Sequence, residues 1–509
     1  MRKLRDWAAY LAAAAVLLPQ AGKAFHIDDA TFLGLARAAQ QNPLHPYGGG
    51  SASNPPGAAW LLGGMMSVFG ESELALHLLL LPFALLAVFA MRAVARQFGV
   101  RDPWAAALLF VCSGCVLLPA TTLMPDVPMV AAVAGAVALL WSDAEEPRWW
   151  KIAAASALFA FGWTLRISAL PVLLLAGCVQ LSRRKWRALL PLAALAAAFV
   201  LWTLASRVPQ AGGVQTLGSA QTVTTAQLHG SGGVLFVWRL LSTSAALALF
   251  SAAALAAAIF KPSRPLLEVV ALVLFALAPL GVFPTLLVGF GTVLFALARL
   301  RLPAFDLDSI FLWLWFFGAL AVPLVYNQAA AKYVALALPP IFLLILRGVD
   351  AKPARVWACA AVTLAISVAA SIDDERYANA LRDLTLSQVA AAKAQTPRVY
   401  VAGTPWGAQE YAPRAGAVFL WGELKPGSPA GAGLEAGDEV LDLSYPGSLG
   451  IPLGDAVAVA EGAIGDPFPI RTMSSGAGLW SSHAGLLPWV FSTDPIQPWW
   501  RVRIVKLIR

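Results

Sequence analysis

The sequence is poor in charged residues, and this shortage alone excludes most soluble proteins. Charged residues make up 13% of the 509 positions, against about 25% in an ordinary soluble domain. Hydrophobic residues make up 59%, which is more apolar material than one or two globular cores can bury. The same composition excludes intrinsic disorder. We therefore predict a polytopic membrane protein.

Cysteine and histidine are also scarce, and their placement excludes further classes of site. The four cysteines lie in apolar runs and are expected to be packing residues rather than a disulfide scaffold: Cys112, Cys115, Cys178 and Cys359. The five histidines show no metal-ligand spacing. The sequence has no glycine-rich dinucleotide loop, no Walker loop and no Gly-x-Ser-x-Gly elbow. Nucleotide-driven chemistry is therefore not expected.

The formal net charge of +8 does not indicate a nucleic-acid partner. Residues 1–372 carry a net charge of +11, whereas residues 373–509 carry −3. The basic excess thus belongs to the apolar part of the chain, where lysine and arginine in short loops hold those loops on the cytoplasmic side. We expect a lipid bilayer as partner and no nucleic acid.

A membrane-spanning helix needs about 20 mainly apolar residues, and thirteen windows are predicted to span. They lie at about 7–22, 75–93, 103–121, 127–142, 152–165, 168–181, 188–206, 235–260, 265–282, 284–300, 310–326, 333–346 and 354–371. The first window follows three basic residues and resembles a signal peptide. We expect it to be a retained helix, with a cleaved signal as the alternative.

Basic residues predict the orientation of these spans. With the N-terminus in the cytoplasm, alternation places 19 basic residues inside and six outside. The outer six are Lys23, Arg37, Arg166, Arg207, Arg239 and Lys332. This excess supports an odd number of spans and predicts that the C-terminal part lies outside.

The C-terminal part differs from the rest of the chain. Its hydrophobic runs are shorter, and glycine and proline are frequent. Strands are predicted at 398–403, 439–443 and 501–508, and a short helix at 407–415. We therefore predict an all-α polytopic membrane domain over residues 1–372. A small soluble α/β or α+β domain is predicted over residues 373–509.

Acidic residues are few at the predicted outer face of the membrane domain: Asp28, Asp29, Glu71, Glu73 and Asp126. Asp28 and Asp29 precede an amphipathic stretch that is expected to rest on the membrane surface. Asp126 lies in a distant loop at the same predicted level, so the carboxylates can meet in one catalytic site. The alternative is that Asp29 and Asp126 cap their own helices. Glu71 and Glu73 are expected to be solvated turn residues.

Three outer cations form the complementary set. Arg166, Arg239 and Lys332 lie beside apolar spans, where an unpaired charge is costly. An anionic lipid phosphate would supply their partner. The alternative is that they anchor helix ends at the lipid headgroups.

Several segments carry a resemblance to a known family. The first outer loop contains His26-Ile-Asp-Asp-Ala-Thr-Phe-Leu-Gly-Leu-Ala-Arg37, Asn42-Pro-Leu-His-Pro-Tyr47 and Asn54-Pro-Pro-Gly-Ala-Ala-Trp60. Later segments are Leu123-Met-Pro-Asp-Val-Pro128, Lys332-Tyr-Val-Ala-Leu-Ala-Leu-Pro-Pro340 and Gly403-Thr-Pro-Trp-Gly-Ala-Gln-Glu-Tyr411. In this order they resemble GT-C glycosyltransferases, of the branch that contains protein O-mannosyltransferases and aminoarabinose (lipid A) transferases.

The resemblance implies roles for individual residues. Asp28 or Asp29 would be the base, and Asp126 would help to form the site. The donor phosphate would be bound by Lys332, Tyr333, Arg166 and Arg239, and the acceptor or sugar by His45, Tyr47 and Asn54. No cofactor is required by the resemblance, although some relatives use a divalent metal ion, which Asp29 and Asp126 would hold.

The resemblance also implies a fold and an activity. The fold is GT-C-like, with about 13 transmembrane helices and outer-surface amphipathic helices. The activity is inverting transfer of a sugar from a polyprenyl-phosphate-linked donor to a glycolipid, glycan or protein acceptor. It takes place at the periplasmic face of a bacterial cytoplasmic membrane. Phe32 stands where the family has tyrosine, and Lys332 stands where it has arginine.

Two alternatives to this activity remain open at the level of sequence. The protein would bind or translocate a lipid-linked glycan without transferring the sugar, or it would be a GT-C-like scaffold that has lost activity. A translocating protein is expected to place polar groups along the membrane depth, whereas this sequence concentrates them at one face.

Overall fold

The fold is known from a computed structural model of the chain. The described residues are 2–43, 55–142, 148–206, 232–260, 264–281, 283–298, 306–325, 329–396, 398–403, 407–420, 438–444, 456–465, 467–474, 477–481, 485–492 and 500–507.

Helices dominate residues 2–396, which confirms the predicted all-α class of the membrane part. In the described part of the chain they are α1 (Arg2–Leu17), α2 (Asp29–Gln41), α3 (Gly57–Phe69), α4 (Glu73–Gln97), α5 (Pro103–Cys112), α6 (Gly114–Leu117), α7 (Asp126–Leu140), α8 (Trp149–Leu165), α9 (Leu170–Ser182), α10 (Leu189–Ser206), α11 (Gly232–Leu249), α12 (Ala253–Phe260), α13 (Pro265–Leu277), α14 (Pro284–Ala298), α15 (Leu307–Val325), α16 (Leu338–Leu346) and α17 (Pro353–Lys393). Short 3-10 helices extend several of them, at Pro19–Gly22, Pro119–Thr121, Ile167–Ala169, Trp186–Ala188, Ala278–Leu280 and Ala331–Ala337.

Each of the thirteen predicted windows contains helix. By length and composition, however, only α4 and α17 among the described helices are each sufficient to cross a bilayer, and two bent pairs raise the number to four. The other stretches of apolar helix whose side chains are described have 10–17 residues. The number of thirteen spans therefore stays a prediction.

Two predicted spans, 103–121 and 235–260, are broken rather than straight. The axis bends by 70° between α5 and α6 and by 62° between α11 and α12. The two breaks contact each other: the Ala252 backbone N–H donates to Ser113 Oγ at 3.1 Å, and the Cys115 N–H donates to the Phe250 carbonyl at 3.3 Å. Each break thus satisfies backbone groups that the other break leaves free, as an apolar environment requires.

The amphipathic stretch after Asp29 forms α2, as predicted. Its apolar side, which includes Leu33, Ala36 and Ala39, is buried, and α2 packs on α3. A Cβ atom at Gly63 would lie 3.0 Å from the Ala36 carbonyl. Glycine therefore allows the two helices to approach closely.

Helix α17 runs through the predicted domain boundary between residues 372 and 373. It has 41 residues, a length of about 60 Å at 1.5 Å per residue, whereas a bilayer core is about 30 Å thick. No glycine or proline interrupts the sequence between Pro353 and Lys393. The C-terminal half of the helix extends beyond the predicted span, where it buries Tyr377, Leu381 and Val389.

The predicted strands and the short helix of the C-terminal part are confirmed. The elements are β1 (Val399–Gly403), α18 (Ala408–Arg414), β2 (Val418–Leu420), β3 (Glu439–Ser444), β4 (Ala456–Ile464), β5 (Ile470–Arg471), β6 (Met473–Ser474), β7 (Ala477–Gly478), β8 (Val490–Phe491) and β9 (Trp500–Leu507). Five strands form a sheet in the order β2-β1-β3-β9-β4. Strand β1 is parallel to β2 and β3, and β9 is antiparallel to β3 and β4.

Ion pairs join the C-terminal part to the first outer loop. The Arg37 guanidinium donates to both carboxylate oxygens of Glu71, at 2.8 and 2.5 Å, and to both of Glu410, at 3.0 and 2.6 Å. Glu73 accepts from Arg382 at 2.9 Å and from the Tyr411 hydroxyl at 2.6 Å. The prediction that Glu71 and Glu73 are merely solvated turn residues is therefore wrong, since tertiary packing supplies cations that the local sequence does not contain.

Candidate active site

The first pair of the candidate site joins the two ends of the membrane part. Asp28 directly precedes α2, and Lys332 lies in the 3-10 helix Ala331–Ala337. The Lys332 ammonium donates to Asp28 Oδ2 and lies 3.4 Å from Met124 Sδ. The Lys332 side chain is 1% exposed, whereas that of Asp28 is 34% exposed. The carboxylate is therefore partly exposed, whereas the ammonium is buried.

The second pair joins the second outer loop to the connection that follows α8. Asp126 is the first residue of α7, and Arg166 directly follows α8. The Arg166 Nη2 atom donates to Asp126 Oδ2 at 2.7 Å, and both side chains are buried. Arg166 Nε is buried and has no hydrogen-bond partner within the described part of the chain. One donor of this guanidinium thus stays available to an additional anion.

The ring of Tyr333 brings the two pairs together. Arg166 Cζ lies 5.7 Å and Lys332 Nζ 5.4 Å from the centroid of this ring. Both distances fall within the range of a cation–π contact. The two cations, each with its carboxylate partner, therefore lie around one tyrosine ring.

Electrostatics keeps Asp28 ionised. Partial burial alone would raise the pKa of its carboxyl, but the charge of Lys332 and the hydrogen bond that Lys332 donates outweigh burial and hold that pKa below its ordinary value. Arg166 contributes in the same direction from farther away. Asp28 is therefore a carboxylate at neutral pH.

Asp29 has a different environment from Asp28. Its side chain is fully buried, and its carboxylate accepts from the backbone N–H of His26 at 3.1 Å and of Leu123 at 2.8 Å. Asp29 thus ties the first outer loop to the second. The predicted side-chain cap is not observed at Asp29, nor at Asp126, because Asp29 is hydrogen-bonded to these loops and Asp126 to Arg166.

The backbone directly before Asp28 is strained. Ile27 has a φ of +53°, which a β-branched residue rarely adopts. Such a conformation costs about 1–3 kcal/mol and persists only where surrounding contacts hold it. The Asp29 hydrogen bonds follow it, and the buried His26 precedes it. The strain therefore indicates that tertiary contacts fix the backbone conformation from which the Asp28 side chain projects.

Arg239 does not join the site through its described contacts. It lies in α11, and its guanidinium donates to the carbonyl of Leu324 at 3.4 Å. His45, Tyr47 and Asn54, which were assigned to the acceptor or sugar, lie outside the described residues.

Sequence reasoning missed a buried polar network beside the site. Asp374 of α17 accepts from Lys23 Nζ at 3.0 Å and from Trp480 Nε1 at 2.6 Å, and its Oδ2 lies 3.0 Å from His26 Nε2. Lys23 also donates to Thr121 Oγ1 at 2.6 Å. The side chains of Asp374, Lys23, His26 and Trp480 are all buried. The adjacent acids Asp373 and Asp374 at the end of the last apolar window were the available signal, since buried acids of this kind have partners.

The donor set does not fit a metal ion bridging Asp29 and Asp126. Each oxygen of Asp29 already accepts a backbone N–H group, and Asp126 Oδ2 accepts from the Arg166 guanidinium, so a bridging cation would compete with these donors and lie beside a positive charge. Among the described residues there is no group of three or more metal-ligating side chains.

Residues 53–208 match the model of the dolichyl-phosphate-mannose-protein mannosyltransferase family. This segment includes Asp126 and Arg166. A search of curated proteins found no match.

Solved structures with some similarity include two of ArnT from Cupriavidus metallidurans. The one bound to undecaprenyl phosphate has a TM-score of 0.43 and 13% identity, and the apo one has a TM-score of 0.36 and 14% identity. Each match covers 86% of this chain and 92% of ArnT. A complex of the Saccharomyces cerevisiae protein O-mannosyltransferases Pmt1 and Pmt2 bound to the sugar donor has a TM-score of 0.34 and 16% identity. That match covers 40% of this chain and spans one third (33%) of the yeast chain.

Over residues 53–208 the chain is similar to the dolichyl-phosphate-mannose-protein mannosyltransferase family, and this match agrees with the resemblance drawn from the sequence. The apolar, predominantly helical structure is that of a membrane protein.

Proposed function

We propose that the protein transfers a sugar from a polyprenyl-phosphate carrier to an acceptor hydroxyl or phosphate at the periplasmic face of a bacterial cytoplasmic membrane. The observation that carries this proposal is the convergence of the Asp28–Lys332 and Asp126–Arg166 pairs on the Tyr333 ring. One carboxylate there is partly exposed, and two cations lie beside it. A base and a phosphate site are thus adjacent, as glycosyl transfer from a lipid phosphate needs.

The reaction inverts the anomeric centre. The acceptor oxygen attacks the anomeric carbon from the face opposite the phosphate, and the bond between that carbon and the phosphate oxygen breaks. Asp28 accepts the proton of the acceptor. The polyprenyl phosphate leaves with the bonding electron pair, and Lys332 and Arg166 stabilise its negative charge.

Substrate binding activates Asp28 in this scheme. In the free protein Lys332 is paired with Asp28 and lowers the pKa of its carboxyl. A bound phosphate competes for the same ammonium, and the weaker pairing lets that pKa rise toward its ordinary value. Asp28 thereby becomes a better proton acceptor only when the donor is in place. The unpartnered Nε of Arg166 supplies a further hydrogen bond to the phosphate.

Asp28, rather than Asp29, is the base in this proposal. A base must reach the acceptor proton, and the side chain of Asp28 is 34% exposed, whereas that of Asp29 is 0% exposed. The backbone N–H groups that Asp29 accepts give it a structural role. The acceptor is a glycolipid, a glycan or a protein.

Asp28→Asn and Asp29→Asn form a matched pair that tests this assignment. We expect Asp28→Asn to reduce the release of polyprenyl phosphate from a panel of polyprenyl-phosphate-linked sugars by about 10²–10⁴-fold. Its melting temperature should stay close to that of the wild type. Asp29→Asn should instead lower stability by about 1–3 kcal/mol, because an amide NH₂ group then faces a buried backbone donor.

Mass spectrometry of the lipid products and thermal unfolding in detergent provide the two measurements. Full transfer activity in Asp28→Asn would remove the proposed base. Movement of the donor across a vesicle bilayer without any release of polyprenyl phosphate would contradict glycosyl transfer and support a translocating protein.

A further inference from the structure

The C-terminal part contributes a buried tryptophan directly to the candidate phosphate site. Trp480 is 1% exposed, and Lys332 Nζ lies 5.9 Å from its ring centroid. The same ammonium lies 5.4 Å from the Tyr333 ring. Lys332 is thus held between aromatic groups from two distant parts of the chain, a geometry in which a cation is attracted by the ring faces.

A backbone hydrogen bond fixes this tryptophan relative to Lys332. The N–H of Ala331, which adjoins Lys332, donates to the carbonyl of Leu479, which adjoins Trp480, at 3.0 Å. This hydrogen bond therefore joins the residue before Lys332 to the residue before Trp480. A displacement of residues 479–480 must also displace the start of the 3-10 helix that carries Lys332.

Helix α17 anchors the segment through two adjacent acids. Asp374 Oδ1 accepts from Trp480 Nε1 at 2.6 Å. Asp373 accepts from Arg471 at 3.0 Å and from the backbone N–H and hydroxyl of Thr472, each at 2.7 Å. The side chains of both acids are fully buried. Breaking such buried hydrogen bonds leaves unsatisfied charges, so the segment is held firmly.

The Asp374 carboxylate also contacts the loop that carries Asp28. Asp374 Oδ2 lies 3.0 Å from His26 Nε2, and the rings of His26 and Trp480 meet edge to face with centroids 5.9 Å apart. The Trp480 ring therefore contacts the Lys332 ammonium and also His26, which lies two residues before Asp28.

We infer that Trp480 is a positioning residue: it holds the Lys332 ammonium where the carrier phosphate binds, so that the C-terminal part is a component of the site. This inference rests on the proposed function, because it assumes that Lys332 binds the phosphate. Trp480 itself is buried behind the cation and does not touch the substrate. Its effect on phosphate binding passes through Lys332.

A double-mutant cycle tests the inference with the full-length protein in detergent and polyprenyl phosphate as the probe. We expect Trp480→Leu to weaken binding of polyprenyl phosphate on the order of tenfold and Lys332→Met to weaken it at least as much. The double variant Trp480→Leu/Lys332→Met should bind no more weakly than Lys332→Met alone, because the effect of Trp480 needs the ammonium.

Trp489→Leu is the matched control. Trp489 is also a buried tryptophan of the C-terminal part, but its Nε1 donates to the Leu249 carbonyl at 3.2 Å. It should lower the melting temperature while the affinity for polyprenyl phosphate stays unchanged. Should Trp480→Leu not fold, Trp480→Met replaces it in the same cycle, because the longer methionine side chain fills more of the space and still leaves no ring over Lys332.

The outcomes distinguish the inference from the function on which it rests. If Lys332→Met weakens binding but the variant that removes the Trp480 ring does not, or if the two losses simply add, the inference is overturned and the proposed function stands. If Lys332→Met binds polyprenyl phosphate as well as the wild type, the phosphate site itself is overturned, and the inference with it.

Discussion

At the scale of single residues, adjacent side chains in the first outer loop have different tasks. Asp28 is partly exposed and pairs with Lys332, whereas the next carboxylate, that of Asp29, is buried and accepts two backbone N–H groups. His26, two residues before Asp28, is fully buried between Asp374 and Asp29, with Lys23 close by. Burial alone would lower the pKa of the His26 imidazole, but the charge of Asp374, the hydrogen bond to Asp374 and the nearby Asp29 carboxylate outweigh both burial and Lys23. The pKa is therefore raised above 6.5.

This shift predicts a pH dependence of stability. A raised pKa means that the folded protein binds the proton more tightly than the unfolded chain does. The contribution of His26 to stability is therefore fully present below pH 6.5 and is lost as the pH rises through the raised pKa of the folded state. We expect the difference in melting temperature between the wild type and His26→Gln to shrink across that interval. Thermal unfolding in detergent between about pH 5.5 and 9 measures it, and a difference that grows with pH would contradict a charged His26.

At the scale of elements, helix ends place the cations and acids of the site. The N-terminus of α7 carries Asp126, and the end of α8 leads into Arg166. Helix α3 begins at Gly57 directly against this end of α8. A Cβ atom at Gly57 would lie 2.6 Å from Thr164 Oγ1 and 2.7 Å from the Thr164 carbonyl carbon. Only glycine lets α3 approach the backbone two residues before Arg166.

Gly57→Ala is therefore expected to push α3 away from α8 and to displace Arg166. Because the clash is with backbone, we expect a loss of stability of at least about 1–3 kcal/mol together with weaker binding of polyprenyl phosphate. Gly64→Ala is the control in the same helix, since a Cβ atom there meets nothing within 4 Å. It should be neutral or stabilise by up to about 1 kcal/mol. Thermal unfolding and the binding assay compare the two variants, and equal behaviour would contradict the close approach.

At the scale of the whole molecule, the C-terminal part is docked onto the membrane part by buried polar contacts. The Tyr411 hydroxyl accepts from the Phe25 backbone N–H at 2.6 Å and donates to Glu73 at 2.6 Å. Arg37 adds its paired hydrogen bonds to Glu71 and Glu410. Together with α17, these contacts join the first outer loop to the C-terminal elements.

Tyr411→Phe tests this docking. Tyr411 is 2% exposed, so loss of its hydroxyl leaves the buried Phe25 N–H and the partly buried Glu73 carboxylate without this partner. We expect a loss of about 1–3 kcal/mol of stability and faster release of the C-terminal part by limited proteolysis. An unchanged melting temperature and an unchanged cleavage rate would show that the hydroxyl does not hold the two parts together.

Features that depend on local sequence were predictable, whereas features that depend on contacts between distant segments were not. Helix at the thirteen apolar windows, the amphipathic α2 and the strands around 399–403 and 439–444 depend on local hydrophobic pattern, which is legible in a single sequence. The breaks near Ser113 and Ser251 were not predicted, since apolar composition continues across them and only their mutual contact explains them.

The sequence by itself determined that the chain is an apolar, helical protein of the membrane, and that a few acids and cations lie in its outer loops. Hydrophobicity and charge are properties of single residues, so their distribution along the chain carries this information. Only the tertiary structure decided that Lys332 pairs with Asp28 across 304 positions, that Asp29 is enclosed, and that Trp480 reaches the site. Those contacts join residues from loops far apart in sequence, and their geometry follows from how the helices pack.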